Sequence, residues 1–273
     1  MGKRFWTIKA AKDDPKVGEL LIYGTISDST WWGDEVTPKQ FKKDLDALGD
    51  VDTINVFINS GGGDAWAGQA IYSMLKRHKA TINTYVDGIA ASAASVIACA
   101  GDTVTMPRNS MMMIHNPWTL AYGYADELRA VADMLDKVRD TLVNVYEDKS
   151  GRSREDIIAI MDAETWLTAE EALAEGFCDV VDEAKEIAAS VRGNTLTING
   201  RKVDLAVFKS FPADKVAVEV TEPDEDNPEP VAEVEQEPTE APAAEPQEEA
   251  ADAAPAQDEK QARLKLLRLR ART

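Results

Sequence analysis

The 273-residue sequence has few of the residues on which metal and redox sites depend, with only two cysteines and two histidines. Cys99 and Cys178 stand apart in apolar surroundings and match no metal-binding spacing, which predicts two buried, reduced thiols. The P-loop pattern Gly-x-x-x-x-Gly-Lys-Ser/Thr is also missing, so we expect no ATP hydrolysis by this chain. We therefore predict chemistry that uses no metal and no cofactor.

Long apolar runs are missing as well. We find no stretch of about 18 apolar residues, and no N-terminal run with a charged start, an apolar core and a small-residue cleavage site. These absences predict a soluble, cytoplasmic protein with no membrane partner.

Basic residues are scarce, since 30 Lys and Arg face 49 Asp and Glu and the formal net charge is −19. Residues 219–259 hold 16 of the acidic residues, 7 of the 12 prolines and no basic residue, whereas 260–273 hold 6 Lys and Arg among leucines. We expect a disordered acidic linker over 216–259 and a basic amphipathic segment over 260–273. Residues 1–218 then carry about −9, which argues against nucleic acid as the main partner.

The rest of the chain alternates strand-like and helix-like patterns over residues 18–184. Repeated β-α-β units predict a largely parallel sheet with helices on its faces, and therefore an α/β domain. Residues 1–17 form an N-terminal segment with one possible edge strand at Phe5–Ile8. Residues 185–215 form a short extension in which Asn199-Gly200 predicts a β-hairpin.

The stretch from Thr81 to Ala100 has the most informative pattern. Thr81–Val86 alternates as a strand does, Gly88 ends the alternation, and the small apolar run from Ile89 to Ala100 predicts a buried helix. Ser92 would then lie in the first helical turn, where free N–H groups and the helix dipole favour an anion. It is either a nucleophile or a simple helix cap. Ser95, one turn further on, has no such position.

Two further stretches carry polar groups at the ends of predicted strands. Gly61–Gly63 follows the strand Thr53–Ile58, and three glycines leave the backbone free to turn its N–H groups toward a ligand. His115 follows the apolar strand Ser110–Ile114, as a general base or as a hydrogen-bonded loop residue. His78 lies among basic residues at a helix end, where it is most simply a solvated partner of the helix dipole.

Asp162 and Glu164 are two carboxylates beside apolar neighbours. Either could be the acid of a catalytic triad with Ser92 and His115. A serine hydroxyl becomes a good nucleophile when a nearby imidazole takes its proton and a carboxylate orients that imidazole. The intermediate also needs N–H donors for its oxyanion, which the glycine loop and the backbone at Ala93 are suited to supply.

One long helix is predicted over residues 124–148. Its apolar residues recur in steps of three and four, the spacing of a helix that packs along a partner helix. They are Leu128, Val131, Leu135, Val138, Leu142 and Val145. This helix is expected to serve assembly.

Four motifs, INSGGGDAWAG, DGIAASAAS, MMMIHNP and ETWLTAEEALAEGF, resemble in order and separation the ClpP family, the proteolytic subunit of the Clp protease, over about residues 18–184. The resemblance implies a crotonase-like fold of repeated ββα units with a protruding long helix, homo-oligomeric rings and serine endopeptidase activity on protein or peptide substrates. It assigns Ser92 as nucleophile, His115 as base, and Gly62 and Ala93 as oxyanion donors. Protein unfolding would need a separate ATP-dependent partner.

The sequence departs from the family pattern at two positions. Asn-Ser-Gly-Gly-Gly replaces Asn-Ser-Pro-Gly-Gly, and Glu164 stands where the family has its catalytic aspartate, with Asp162 as the fallback acid. This glutamate, the loop Trp31-Trp32-Gly33-Asp34-Glu35 and the acidic tail resemble ClpP-like head-maturation proteases of bacteriophages. That subgroup implies work inside a procapsid, with capsid proteins as partners and the tail as a targeting extension or a solvated spacer.

Two other functions remain open at this stage. A crotonase-type acyl-CoA hydratase or thioesterase also uses a glycine-loop oxyanion site, but it leaves the pairing of Ser92 with His115 without a purpose. A catalytically idle ring or capsid-scaffold protein would keep the fold for assembly alone.

Overall fold

A computed structural model describes residues 9–11, 14–29, 35–183, 189–192, 194–198, 201–210, 219–220 and 271–272. The expected edge strand at 5–8, residues 31–34 of the tryptophan loop, and nearly all of the acidic and basic tail segments lie outside these residues. The expectations for those stretches therefore stay predictions.

Strands and helices alternate along the main part of the chain. The strands are β1 Lys9–Ala11, β2 Asp14–Tyr23, β3 Thr53–Ser60, β4 Thr81–Ala91, β5 Thr103–Pro107, β6 Met111–Ile114, β7 Trp118–Thr119, β8 Thr165–Thr168, β9 Val180–Asp182, β10 Ala189–Arg192, β11 Thr195–Ile198, β12 Arg201–Asp204, β13 Glu219–Val220 and β14 Ala271–Arg272. The helices are α1 Pro38–Ala47, α2 Ala65–Lys76, α3 Ala93–Ala98, α4 Ala125–Ser150, α5 Arg154–Asp162 and α6 Ala169–Ala174.

The main sheet is mostly parallel and forks at β4. Its strand order is β1-β2-β3-β4-β5-β9, and all pairs except β1 with β2 are parallel. The first half of β4 pairs with β5, whereas its last three residues pair in parallel with β6. The antiparallel strand β8 then extends the second branch. This mixed α/β architecture with a parallel sheet is the predicted fold class.

Side-chain caps fix the starts of α1 and α2. The Thr37 side chain accepts a hydrogen bond from the N–H of Gln40 at the start of α1, with Pro38 at the first helical position. The Asp64 carboxylate likewise accepts from the N–H of Ala67 at the start of α2. These side chains satisfy N–H groups that the helix itself leaves without partners.

The prediction for residues 89–100 is wrong in its boundary. The strand continues through Gly88 to Ala91, and the helix runs only from Ala93 to Ala98. An apolar run of this kind fits a fully buried strand as well as a buried helix, and its pairing with β6 settles it as a strand. Ser92 therefore lies in the turn between strand and helix rather than within the first helical turn.

The three consecutive methionines of β6 face two different cores, as their alternation in a strand requires. Met112 packs in the main core between the sheet and the helices. Met111 and Met113 face a second cluster with Ile89, Trp166 and residues of the C-terminal extension. All three methionines are therefore core residues.

The two halves of the helix α4 differ in burial. Its C-terminal part is buried through Val138, Leu142 and Tyr146, whereas Leu128 and Met134 in its N-terminal part are exposed. Its bounds agree within two residues with the predicted 124–148. In the described ranges, no helix is both long and apolar enough to span a membrane.

The C-terminal extension forms a small sheet in the order β12-β11-β10-β13. Strands β11 and β12 pair antiparallel with Ile198 opposite Arg201, the register expected of the hairpin at Asn199-Gly200. Further along, β14 pairs antiparallel with β7.

Candidate active site

Ser92 and His115 come together at the fork of the sheet. The His115 Nε2 atom lies 2.9 Å from the Ser92 Oγ atom, within hydrogen-bond distance. The two residues follow adjacent parallel strands, and the Ser92 N–H donates to the Met113 carbonyl, which continues the ladder between β4 and β6. Main-chain pairing therefore sets the distance between hydroxyl and imidazole.

The imidazole of His115 is held in its neutral form. The residue is 6% exposed, and its burial lowers the pKa of His115 to about 4, although the nearby Glu164 carboxylate raises it and Lys209 lowers it further. At neutral pH the Nε2 atom is therefore available to accept the proton of the Ser92 hydroxyl.

Glu164, and not Asp162, faces His115. The Glu164 Oε2 atom lies 3.8 Å from the His115 Nδ1 atom, which is an ion-pair distance and longer than a hydrogen bond. Asp162 instead accepts a hydrogen bond at 2.7 Å from the Asn116 side chain, and it is exposed. Of the two carboxylates that the sequence left open, Glu164 is the one that the fold brings to the imidazole.

Both ends of this arrangement adopt unusual backbone conformations. In the described part of the chain, Ser92 (φ 57°) and Glu164 (φ 49°) are the two residues other than glycine with positive φ. A positive φ raises the conformational energy of an L-amino acid by about 1–2 kcal/mol. Such strain collects at functional sites, where the surrounding fold holds it in place.

The glycine loop lies directly against Ser92. A Cβ atom added at Gly62 (φ 95°) would lie 2.7 Å from the Ser92 Cβ atom and 3.1 Å from the Ala93 nitrogen. Only glycine allows both this φ and this close approach. The Gly62 N–H donates at 3.1 Å to the Ser60 hydroxyl, which in turn donates to the Gly24 carbonyl.

The other polar residues that the sequence singled out have structural partners. Ser95 is buried, and its Oγ atom lies 2.7 Å from the Ser92 carbonyl and 2.8 Å from the Tyr146 hydroxyl. His78 accepts a hydrogen bond from the Ala80 N–H at the end of α2. Cys99 and Cys178 are buried, free thiols, and burial raises the pKa of Cys99 to about 12. The two cysteines are thus the unreactive residues that the sequence predicts.

Sequence reasoning missed the contribution of the C-terminal extension. The Ser210 N–H donates to the Glu164 Oε1 atom at 2.8 Å, and the Phe208 ring lies against the His115 imidazole with a centroid distance of 6.2 Å. The hairpin at 199–200 was visible in the sequence, but nothing there indicated which face of the domain it would cover.

A serine in a strand-to-helix turn, with an imidazole 2.9 Å from its hydroxyl and a glycine loop beside it on a parallel α/β sheet, is the arrangement of a serine-type hydrolase. Comparison with known proteins gives the family. The family model for Clp protease matches residues 39–185. The chain belongs to the Clp protease family, a family of serine peptidases.

Curated relatives and a solved structure agree with this assignment. The chain is 34% identical over 146 residues to the ATP-dependent Clp protease proteolytic subunit of Deinococcus radiodurans, an alignment that covers 52% of this chain and 71% of the relative. It is 35% identical over 145 residues to the subunit of the same name from Ligilactobacillus salivarius, covering 52% and 73%. A ClpP1 point mutant from Listeria monocytogenes superposes with a TM-score of 0.53 at 27% identity, covering 63% of this chain and 93% of the other.

Proposed function

We propose that this chain is a serine endopeptidase in which Ser92 attacks the peptide carbonyl, His115 is the general base and Glu164 orients the imidazole. The 2.9 Å contact between Ser92 Oγ and His115 Nε2 carries the proposal. As the Oγ–carbon bond forms, the hydroxyl proton passes to Nε2 and then to the leaving amine. A water molecule hydrolyses the resulting acyl-enzyme ester by the same proton path in reverse.

Backbone N–H groups beside the nucleophile are suited to stabilise the oxyanion. Ala93 is the first residue of α3 and directly follows Ser92, and Gly62 packs against both residues. When substrate binds, the Gly62 N–H would exchange its hydrogen bond to the Ser60 hydroxyl for one to the negatively charged oxygen of the intermediate. Each such donor is typically worth about 3 kcal/mol of the barrier.

A fluorophosphonate probe tests the proposed nucleophile. We expect labelling of the intact protein at Ser92, loss of labelling in Ser92→Ala, and retention in Ser95→Ala. The Ser95 hydroxyl is bonded to the Ser92 carbonyl and the Tyr146 hydroxyl, whereas the Ser92 hydroxyl lies beside the His115 imidazole. Protein that is assembled and never labels would contradict the peptidase. It would leave the idle ring or scaffold protein, or an acyl-CoA enzyme of the crotonase type, as the better account.

The two candidate carboxylates predict a clear difference between matched variants. Glu164→Gln is expected to lower kcat for a short fluorogenic peptide by roughly ten- to a hundredfold, less than in a tightly bonded triad because 3.8 Å separates the Glu164 and His115 atoms. Asp162→Asn is expected to stay within about threefold of the wild type, since its carboxylate contacts Asn116.

The pH dependence of kcat/KM is a second test that distinguishes Glu164→Gln from Asp162→Asn. The Glu164 charge raises the pKa of His115, so the Gln variant should move the acidic limb of kcat/KM to lower pH. The Asn variant should leave that limb in place. Equal effects of the two substitutions on kcat would mean that neither carboxylate orients the imidazole.

We also propose that the chain acts as a homo-oligomeric ring on protein substrates in the cytoplasm, with unfolding by a separate ATPase. The exposed apolar surface at the start of α4 supports assembly. It comprises Leu120, Tyr122, Tyr124, Leu128 and Met134, whose exposed fractions range from 38% to 76%. Several large exposed apolar side chains within one short segment commonly mark an interface between proteins.

A narrower proposal is that this peptidase is of the phage head-maturation type, with the tail as a capsid-targeting extension. The glutamate at position 164 and the acidic segment before the basic terminus support it. Deletion of residues 216–273 is expected to leave cleavage of a short peptide within about twofold, and to abolish co-assembly with the capsid protein. Unchanged co-assembly would rule out the targeting role.

A further inference from the structure

The C-terminal extension packs against the strands that carry the active-site residues. Leu196 of β11 and Leu205, which follows β12, are buried with Ile89 of β4 and Met113 of β6. Ser92 follows the first of these two strands and His115 follows the second. Because the family match ends at residue 185, this packing is an addition to the matched domain.

The extension contacts the imidazole through an aromatic side chain. The Phe208 ring lies 6.2 Å from the His115 ring between centroids, at an interplanar angle of 59°. It also stands edge-on to Trp166 at 5.2 Å and 87°, a favourable aromatic geometry. Trp166 belongs to β8, which pairs with β6. The Phe208 ring therefore packs against both His115 and Trp166.

The extension contacts the carboxylate through its backbone. The Ser210 N–H donates to the Glu164 Oε1 atom at 2.8 Å, and the Ser210 hydroxyl lies 3.4 Å from the Glu164 carbonyl oxygen. The other carboxylate oxygen, Oε2, is the one that faces His115. A carboxylate that is almost fully buried needs such a donor, and a bond at one oxygen fixes the direction of the other.

We propose that residues 194–210 are a positioning segment of the active site, in which the Ser210 N–H aims Glu164 at His115 and Phe208 holds the imidazole. This inference rests on the proposed peptidase function. Neither residue touches the reacting atoms. They act through Glu164 and His115.

An inhibitory cover is the competing explanation, because the Val203 side chain lies against the glycine loop, 2.9 Å from a Cβ atom added at Gly61. A cover would block the reacting groups. Here the Ser92 Oγ atom keeps its 2.9 Å contact with His115 Nε2, and the extension binds the carboxylate oxygen that faces away from the imidazole. Ser92 is only 3% exposed, which a cover would also produce. The contact that favours support is the bond from the Ser210 N–H to Glu164, which a cover does not need.

Two substitutions at one residue separate the backbone donor from the side chain. Ser210→Pro removes the N–H, whereas Ser210→Ala keeps it and removes only the hydroxyl. With a short fluorogenic peptide, we expect Ser210→Pro to lower kcat about tenfold with KM within about twofold, and Ser210→Ala to match the wild type. A Phe208→Leu variant, which keeps the apolar packing but not the ring, should lower kcat several-fold with Tm within about 4 °C of the wild type.

A double-variant comparison distinguishes positioning from general damage. In a Glu164→Ala background, Ser210→Pro should have no further effect on kcat, because the carboxylate that it positions is gone. Equal activity of the Pro and Ala variants, increased activity of either Ser210→Pro or Phe208→Leu, or the same tenfold loss in both backgrounds would overturn the proposal. Fluorophosphonate labelling of the wild type at Ser92 is measured alongside, and its absence would count against the peptidase itself.

Discussion

Ser92→Ala is expected to lower kcat for peptide hydrolysis by about 10⁶, to the rate that binding and the oxyanion donors alone can supply. The loss is large because the hydroxyl and the imidazole act as one unit, 2.9 Å apart. The fold should be preserved, since alanine takes away a single oxygen atom. Steady-state kinetics with a short fluorogenic peptide, at enzyme concentrations that favour assembly, measures the effect.

The neighbouring serine supplies the matched control. Ser95→Ala removes the hydroxyl that bonds the Ser92 carbonyl and the Tyr146 hydroxyl, so we expect a loss of about 1–2 kcal/mol in the free energy of unfolding with kcat changed less than tenfold. Sedimentation should show all three proteins in the same assembly state. A Ser92→Ala protein that keeps more than a few per cent of wild-type kcat would refute the covalent mechanism.

Gly62→Ala is expected to lower kcat by about 10²–10³ and the free energy of unfolding by roughly 2–4 kcal/mol. The added methyl would meet the Ser92 Cβ atom at 2.7 Å and the Ala91 carbonyl oxygen at 2.7 Å, and the φ of 95° is unfavourable for alanine. Relief of that clash must shift the glycine loop, so that the Gly62 N–H no longer reaches the oxyanion when substrate binds, which costs about one donor. Kinetics and denaturant unfolding measure the two effects.

Gly49→Ala separates backbone strain from contact with the site. Gly49 also has a positive φ of 71°, but a Cβ atom there meets nothing within 4 Å. It should lose about 1 kcal/mol of stability and keep its kcat. If the two alanine variants lost activity equally, the effect at Gly62 would be one of stability and not of oxyanion binding.

Much of the fold could be predicted because local chemistry determines it. The alternation of Thr81–Val86 and the turn at Asn199-Gly200 each specify one element from adjacent residues. Repeated β-α-β connections then imply parallel pairing. Such pairing places the ends of successive strands at one edge, where Ser92 and His115 meet.

The misplaced boundary at Ile89–Ala91 has a physical cause. These residues are apolar on both faces because β4 is covered on both sides at that point, by the main core and by the second cluster. The second cover comes from the extension more than 100 residues later. A local pattern carries no information about so distant a partner, and the run therefore resembles a helix buried all round.

The choice between the two acids was open for a similar reason. Asp162 is the last residue of α5, and Glu164 takes a left-handed conformation two residues later. That single φ angle turns one carboxylate to the imidazole and leaves the other beside Asn116. Glycine or asparagine is the usual signal for such a conformation, and the sequence has neither at this position.

At the fork of the sheet, β4 pairs with two different strands along its length. Its first half pairs with β5 and its last residues pair with β6, and Ser92 follows directly after the pairing with β6. The backbones that carry the hydroxyl and the imidazole cannot separate unless ladder bonds in the middle of the sheet break, which is close to unfolding the whole domain. Adjustments of the site on substrate binding must then come from side-chain rotation, from the glycine loop and from the carboxylate, while the main chain beneath the central pair stays as stable as the protein.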